Sequence, residues 1–384
     1  MFRDKKKKIR TVALIMSCLL SMKANSQVRL IDHKATNETR QLAERLYNVA
    51  GKHILFGHQH ATEYGRGWEG ENGNSDVKSV TGSHPAVIGI DIMGLSGKSR
   101  TAIEKTKEKL KANVINTNTR GGITTIVWHF MNPVSEDGFQ WKDGSSVAAV
   151  KEILPGKSFH RKYKEILDDV AEWANSLTDE KGKLIPVIFR PFHEMDGDWF
   201  WWGQAHCTPA EFKELWRFTV DYLQKEGNVH NFIYAFSPDN KYLTKEEYLE
   251  RYPGNDWVDL LGTDNYGEMG RDGYHLESVV KKLKIVSDLA IENQKLAAFT
   301  ETGLESLTNQ SWWTDVLLKV VKDDQLRLSY VLVWRNDAKS KTHFYAPYPG
   351  HPSTDDFIKF YKDPFTLFEK DLWPSLETST SADH

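Results

Sequence analysis

Eight short apolar runs, rich in β-branched residues, recur along the chain and are separated by longer amphipathic stretches. The runs are continuously apolar rather than alternating, as expected for parallel strands that are covered on both faces. Eightfold alternation of strand and helix predicts a single-domain (β/α)8 TIM barrel, with an open, doubly wound sheet as the alternative. The predicted strands are 54–58, 86–92, 123–129, 186–192, 231–237, 258–264, 295–300 and 330–335.

Helical periodicity is clearest in five of the intervening stretches. Thr208 followed by Pro209, with Glu211 two residues further on, is typical of a helix start. Long gaps after the third and fourth strands predict extended loops on the rim of the barrel. The predicted helices are 101–114, 161–176, 209–226, 276–292 and 312–323.

The N-terminal segment has the pattern of a targeting signal. A cationic stretch, 1–10, precedes an apolar run, 11–20, which is shorter than the ~20 residues of a membrane-spanning helix. Small residues near Ser26 complete a secretory signal peptide. We therefore expect cleavage after Ser26 and export of the catalytic domain, 27–384, to the periplasm or the medium. The alternative is an outer-membrane lipoprotein that is modified at Cys18. No other apolar run is long enough to span a membrane.

Charge and cysteine content exclude several classes of protein. Fifty basic and 53 acidic residues give a formal charge of −3, which offers no basic excess for nucleic acid. The leader contains seven basic residues and one acidic residue, so its removal lowers the charge to −9. Cys18 and Cys207 are too few for a disulfide framework or a cysteine-based zinc site. The 13 tryptophans are an unusual surplus that the fold alone does not explain.

Polar and aromatic residues stand at the ends of nearly all the apolar runs. Alone, such a residue often caps a helix or binds a loop amide. A barrel, however, brings all the strand ends to one mouth, where barrel enzymes have their active sites. These residues are His58, Asp91, His129, His193, Glu194, Asp239, Asp264, Tyr266, Glu301, Trp334 and Arg335.

Two of these residues form a candidate catalytic pair. Glu194 follows His193 and precedes an aromatic cluster; bulky rings exclude water and raise a carboxyl pKa, which suits a general acid. Glu301 ends the seventh strand, where a hydrogen bond from Tyr266 could hold it as an ionised nucleophile. Paired carboxylates beside aromatic platforms are typical of glycoside hydrolysis, because sugar rings stack on indoles.

The aromatic cluster, Trp199, Trp201 and Trp202, permits two interpretations. It could pack in the core or at an oligomer surface, but two acids and two glycines lie beside it, and we predict a ligand-lined loop. His193-Glu194 is not a zinc-protease motif, because Gly197 occupies the position of the second histidine.

The segment 65–70 matches the G-x-G-x-x-G pattern of dinucleotide-binding proteins. It does not open a helix directly after a strand, which that pattern requires. We therefore predict a flexible rim loop here rather than a site for NAD.

Several segments resemble glycoside hydrolase family 26, the β-mannanase family. They are RPFHEMDGDWFWWG, LLGTDNYG, FTETG, VLVWRN, ILFGHQH and VWHFMNP, and the resemblance extends from about Leu55 to Tyr348. It implies a (β/α)8 barrel with Glu194 as acid/base and Glu301 as nucleophile. It also implies a retaining mechanism on a β-mannan substrate, without cofactor or metal.

The resemblance also implies roles for the surrounding side chains. His193 and Tyr266 would orient the carboxylates and hold the sugar before the scissile bond, and Trp334 would be its stacking platform. The family commonly has Asn at the position of Asp196, which puts the leaving-group contacts in question. The remaining expected substrate contacts are Trp199 and Trp202 in the aromatic loop, and Asp264, Arg335 and His129 on the glycone side.

The substrate and the mode of cleavage stay open at this level. A related β-glycan, such as β-1,3-xylan or mixed-linkage β-glucan, or a non-catalytic glycan-binding barrel, is compatible with the same residues. Long rim segments at 63–74 and 132–160 could close the glycone end and favour release of mannobiose. We expect a monomer with a polysaccharide partner and no nucleic acid.

Overall fold

A computed structural model of the chain describes residues 28–143 and 146–372. In these ranges eight parallel strands each pair with the next, and the eighth pairs with the first, from Leu55 with Tyr330 to His58 with Val333. This closure confirms the (β/α)8 barrel and rules out the open sheet. The barrel strands are β1 Ile54–Gln59, β2 Val87–Asp91, β3 Ile123–Trp128, β4 Val187–Pro191, β5 Phe232–Phe236, β6 Leu260–Asn265, β7 Leu296–Thr302 and β8 Tyr330–Val333.

The barrel strands are buried at every position except Asp91, which explains their continuously apolar sequences. Alternate residues belong to two separate cores. Leu55 packs in the inner core together with residues of the first helix, whereas Phe56 packs in the outer core with the surrounding helices. The first helix closes the end of the barrel where the strands begin, since Thr36 donates its N–H to the His230 carbonyl at 3.0 Å. The opposite end is left open.

Ten α-helices are present in the part of the chain that the structure describes. The capping box at Thr208 and Glu211 confirms the helix start expected there. The helices are α1 Asn37–Val49, α2 Asp76–Thr81, α3 Arg100–Thr119, α4 Val150–Ile153, α5 His160–Ser176, α6 Pro209–Lys225, α7 Lys245–Tyr248, α8 Leu276–Glu292, α9 Lys319–Val321 and α10 Thr354–Lys362.

The last predicted helix, 312–323, is not a regular α-helix. A π-helical segment, Trp313–Leu318, precedes the short α9. Asp356 of α10 accepts the N–H of Thr314 at 3.1 Å and its hydroxyl at 2.6 Å. Packing against α10 therefore overrides the regular helical pattern at this point.

Two rim loops depart from a simple barrel. The prediction of a flexible loop at the glycine motif is wrong, because Tyr64–Gly65 and Trp68–Glu69 form an antiparallel hairpin. The Arg66 guanidinium, in the turn of this hairpin, donates a hydrogen bond to the Ser340 carbonyl at 2.8 Å. The long loop after β3 reaches across to the loop after β4, where Gln140 pairs with Phe200. Both long loops expected after β3 and β4 are present.

No helix within residues 28–143 and 146–372 is long and apolar enough to cross a membrane. The predicted leader, 1–26, with its alternative lipid site at Cys18, lies outside the described residues.

Candidate active site

The open end of the barrel surrounds a cleft of about 1270 Å³. Eight of the ten side chains predicted from the sequence line it, including the two glutamates, so the strand ends converge as expected. The eight are His129, His193, Glu194, Trp199, Tyr266, Glu301, Trp334 and Arg335.

Glu194 is held in an unusual backbone conformation just beyond β4. Its φ angle is +53°, and that of Phe192 is +50°, a region that side-chain-bearing residues rarely adopt. The Glu194 N–H donates to the Ser237 carbonyl at 2.8 Å, and its carbonyl accepts from Gly197. The Trp199 indole donates to the Glu194 carboxylate at 2.7 Å. The bend thus aims the carboxyl group into the cleft.

Glu301 is placed on β7 by two donors. The Tyr266 hydroxyl donates to one carboxylate oxygen at 2.9 Å, and the buried Arg190 guanidinium donates to the other. Arg190 also donates to Asp264 at 2.7 Å and to the Ser237 hydroxyl at 2.9 Å. Glu301 is therefore an acceptor in an ion pair, which is the state that a nucleophilic carboxylate requires.

The surroundings of Glu194 favour its protonated form. Burial raises the pKa of Glu194 well above its usual value, and the negative charges of Asp264, Asp239 and Glu301 act in the same direction. The hydrogen bond from Trp199 opposes this shift. Carboxylate oxygens of Glu194, Asp264 and Glu301 lie within 4.8 Å of one another, so the site holds one carboxyl suited to donate a proton beside one suited to attack.

Two histidines form the wall beside this pair. Burial lowers the pKa of His193 well below its usual value, and the charges of Arg190 and His129 add to this effect, which favours the neutral imidazole. It packs edge-on against His129, with ring centroids 4.8 Å apart. Asp91 binds His129 Nδ1 at 2.7 Å and fixes the orientation of its ring.

Aromatic surfaces flank the carboxylates on opposite sides of the barrel. Trp334 follows β8 and lies 5.8 Å from His129, centroid to centroid. Trp199 lies in the loop after β4, with the Lys241 ammonium 4.9 Å from its ring centroid. Two partly buried indoles in an open cleft suit the stacking of sugar rings on either side of the reacting bond.

Comparison with known proteins identifies the family of this chain. A model of glycosyl hydrolase family 26 matches residues 31–315. The chain belongs to glycosyl hydrolase family 26. The expected resemblance is thereby confirmed.

The solved structures similar to this family 26 hydrolase include two of its own family. A GH26 β-mannanase from Bacteroides ovatus is 42% identical, with a TM-score of 0.81 over 88% of this chain and 96% of the other. A modular endo-β-1,4-mannanase from Cellulomonas fimi is 36% identical, with a TM-score of 0.82 over 90% and 78%.

A mannan endo-1,4-beta-mannosidase from Bifidobacterium adolescentis is 34% identical over 87% of this chain. The chain spans only about a third (35%) of the length of that relative.

Two tryptophans of the family 26 chain are not where the sequence suggested. Trp201 and Trp202 are completely buried, and neither lines the cleft. The Trp202 indole donates to the His193 carbonyl at 2.9 Å, and the Trp201 indole to the Phe130 carbonyl at 2.7 Å. The expected contact of Trp202 with substrate is therefore corrected: Trp202 supports the backbone beside the acid/base candidate.

Asp264 is likewise enclosed. It is 0% exposed and accepts hydrogen bonds from Arg190 and from the Thr300 hydroxyl, the latter at 2.6 Å. It cannot reach a sugar hydroxyl in this arrangement. The expected glycone contact becomes a role in balancing the Arg190 charge.

Asp196 joins the loops after β4 and β5. Its carboxylate accepts the N–H groups of Asp239 at 2.6 Å and Lys241 at 3.4 Å. Since Lys241 covers the Trp199 ring, Asp196 is connected to that ring through these two loops.

Sequence reasoning missed several residues of the site, and three of them matter most for its charge and shape. Arg190 is a charged residue inside an apolar run, two positions from the inward-facing Ile188. Because residues i and i+2 of a strand lie on the same face, this spacing could have shown that Arg190 points into the barrel. Asp239 was noted only as a strand end, yet it lines the cleft and acts on Glu194. Trp141 lines the cleft from the loop after β3 and stacks on His206 at 3.5 Å.

Two clusters of three acidic side chains among the described residues are close enough to hold a metal ion. In each cluster a basic side chain of the protein already binds the carboxylates. Arg190 binds Asp264 and Glu301 in the cleft. Lys107 binds Asp169 at 2.8 Å in the other group. A metal ion would have to displace these side chains.

Replacement of Arg190 tests this buried charge. Arg190→Met leaves Asp264 and Glu301 without their cation, and we expect the free energy of unfolding to fall by about 3–5 kcal/mol. Denaturant titration at neutral pH measures the change. Arg161→Met, at an arginine of α5 whose side chain is 93% exposed, is the control and should cost less than about 1 kcal/mol. Equal stability of Arg190→Met and the native protein would contradict this account.

Proposed function

We propose that this family 26 protein is a retaining endo-β-mannanase that hydrolyses β-1,4-mannosidic bonds in mannan, galactomannan or glucomannan. The observation that carries the proposal is the contrast between its two carboxyls. Burial and three acidic neighbours favour protonated Glu194, whereas Arg190 and Tyr266 both donate to Glu301.

The geometry supports a two-step mechanism. Protonated Glu194 donates its proton to the glycosidic oxygen while Glu301 attacks the anomeric carbon from the opposite face. A glycosyl ester on Glu301 results. Water, deprotonated by Glu194, then hydrolyses this ester, so the configuration is retained. Trp199 and Tyr266 keep the two carboxyls oriented through both steps.

The spacing of the carboxyls favours retention over inversion. Retaining pairs are about 5–5.5 Å apart and inverting pairs about 6.5–9.5 Å. Oxygens of Glu194 and Glu301 lie within 4.8 Å of each other, which is closer than the separation at which inverting enzymes place a water molecule between the base and the sugar.

Mannan is the substrate that the relatives favour. The Bifidobacterium, Bacteroides and Cellulomonas proteins carry mannanase or mannosidase names. Stacking on Trp334 and Trp199 recognises the faces of pyranose rings in general, so the choice of mannan over another β-glycan rests on those relatives.

Digestion of a substrate panel tests the assignment. We expect hydrolysis of mannan and galactomannan but not of β-1,3-xylan or lichenan, with a ladder of products from the first minutes. Early accumulation of mannobiose alone would indicate exo action. Glycan binding without any turnover would contradict the enzymatic proposal.

Variants of the two glutamates test their roles. Glu194→Ala should lose about 10²–10⁴-fold in activity on mannan, but should still form the glycosyl ester from an aryl β-mannobioside, whose leaving group needs no acid. Glu301→Ala should lose activity on both substrates. Circular dichroism checks that both variants fold, and full activity of either would refute its assignment.

Trp199 offers a test based on pH. Its N–H stabilises the Glu194 carboxylate and so lowers the pKa of Glu194. In Trp199→Phe the pKa should rise, and the basic limb of the pH–activity profile should move to higher pH because the acid stays protonated longer. Trp216→Phe, whose indole bonds the distant Trp257 carbonyl, is the control. An unmoved limb in Trp199→Phe would contradict this coupling.

We also propose export through the leader. Mass spectrometry of the protein from its native host should find an N-terminus at Gln27, and Cys18→Ser should leave it unchanged. A lipid-bearing N-terminus at Cys18 would replace this proposal with the lipoprotein alternative.

A further inference from the structure

Asp76, the first residue of α2, is a buried acid that the proposed mechanism does not use. It is 3% exposed and accepts three hydrogen bonds, from the Arg66 N–H at 2.7 Å, the Trp68 indole at 2.7 Å and the Asn336 side-chain amide at 2.8 Å. Two of these donors lie in the loop after β1 and the third in the loop after β8. Asp76 therefore joins the two loops across the seam where the barrel closes.

The glycine motif is explained by this junction. A Cβ atom on Gly65 would lie 2.5 Å from the Asp76 carboxylate and 2.4 Å from the Trp68 indole nitrogen, so only glycine fits. Gly67 turns the hairpin at a φ of +81°, where glycine is favoured. The motif thus serves close approach to Asp76 and not to a nucleotide.

Asn336 extends the junction into the loop after β8. While its amide nitrogen donates to Asp76 and to the Ala346 carbonyl, its oxygen accepts the N–H groups of Tyr345 at 2.8 Å and Ala346 at 2.9 Å. Tyr345 packs edge-on against Tyr266, the residue that donates to Glu301, at 5.8 Å. Fixing Asn336 therefore fixes the backbone that carries the Tyr345 ring.

The two loops that Asp76 joins each supply a residue to the cleft. Arg335 precedes Asn336, and Tyr64 lies in the hairpin; both line the cleft. The Arg335 guanidinium lies 5.8 Å from the Tyr64 ring centroid and 3.4 Å from its hydroxyl, and Asp337 binds it at 2.9 Å. Arg335 and Tyr64 thus form one wall, and its two halves meet at Asp76.

We propose that Asp76 is a positioning residue that fixes the Arg335–Tyr64 wall and thereby determines how tightly the glycone part of the substrate is held. The inference rests on the proposed mannanase function for its substrate. Asp76 touches no reacting atom, so its effect should fall on binding of extended substrates rather than on the chemical step.

Asp76→Asn is the direct test. The new amide NH₂ replaces one acceptor oxygen and faces an N–H donor, so one side of the junction opens at almost unchanged volume. We expect KM for mannopentaose to rise about 10-fold with kcat nearly unchanged. Unchanged KM in the folded variant would overturn the proposal.

A double-mutant cycle separates positioning from general destabilisation. If Asp76 acts through Arg335, then Asp76→Asn should raise KM far less in an Arg335→Ala background than in the native one. Additive effects would overturn the proposal. Asp32→Asn, which loses a 2.8 Å bond to His230 at the closed end of the barrel, is the matched control and should lower stability without changing KM.

Two further measurements test the proposal if Asp76→Asn does not fold or if mannan is not the substrate. Trp68→Phe removes a single donor at a partly exposed ring and is the substitute variant if Asp76→Asn does not fold. It should raise KM by less than the ~10-fold rise expected for Asp76→Asn. An unchanged KM would count against the proposal. Hydrogen exchange should accelerate at the amides of Arg66, Tyr345 and Ala346 in Asp76→Asn. Accelerated exchange in a protein whose native form hydrolyses no mannan would uphold the positioning role and refute the proposed function.

Discussion

The active end of the barrel depends on one buried cation. Arg190, 2% exposed, lies among β4, β6 and β7 and binds Asp264 and Glu301 together. Without it, two buried carboxylates would face each other with no compensating charge, at a cost larger than most side-chain interactions can offset. Because the guanidinium is planar and donates in fixed directions, it also sets where both carboxylates can lie.

The same cation creates the difference between the two glutamates. Glu301 shares the guanidinium with Asp264, whereas Glu194, just beyond the strand that carries Arg190, receives the Trp199 indole instead. One carboxyl is therefore paired with a full charge and the other with a neutral N–H among acidic neighbours. Two carboxyls in contrasting electrostatic surroundings therefore lie a few ångströms apart.

The fold was predictable from the sequence because both faces of each strand are covered, which leaves a continuous apolar signature. The position of Glu194 and Glu301 at strand ends follows from the same pattern. Side-chain direction was not predictable at this level. Trp202 and Trp199 are three residues apart in one loop, yet one is completely buried and the other lines the cleft, and their composition gives no means to tell them apart.

Charge inside the barrel was the other gap. Asp264 ends an apolar run like any rim residue, but its partner, Arg190, lies inside the barrel and draws it inward. The glycine motif was similarly ambiguous, because glycine is required wherever any group approaches the backbone closely. Here that group is the Asp76 carboxylate, which does not line the cleft and was not among the strand-end candidates.

The left-handed backbone conformation at Glu194 lowers the stability of the folded protein. Its φ of +53° disfavours most residues other than glycine and asparagine, and its carboxyl lies among like charges. Glycine or asparagine would suit that backbone better and would remove the repulsion. Selection for thermal endurance alone would therefore favour a different residue at this position, so the proposed proton donor carries a cost in stability that only the proposed activity would offset.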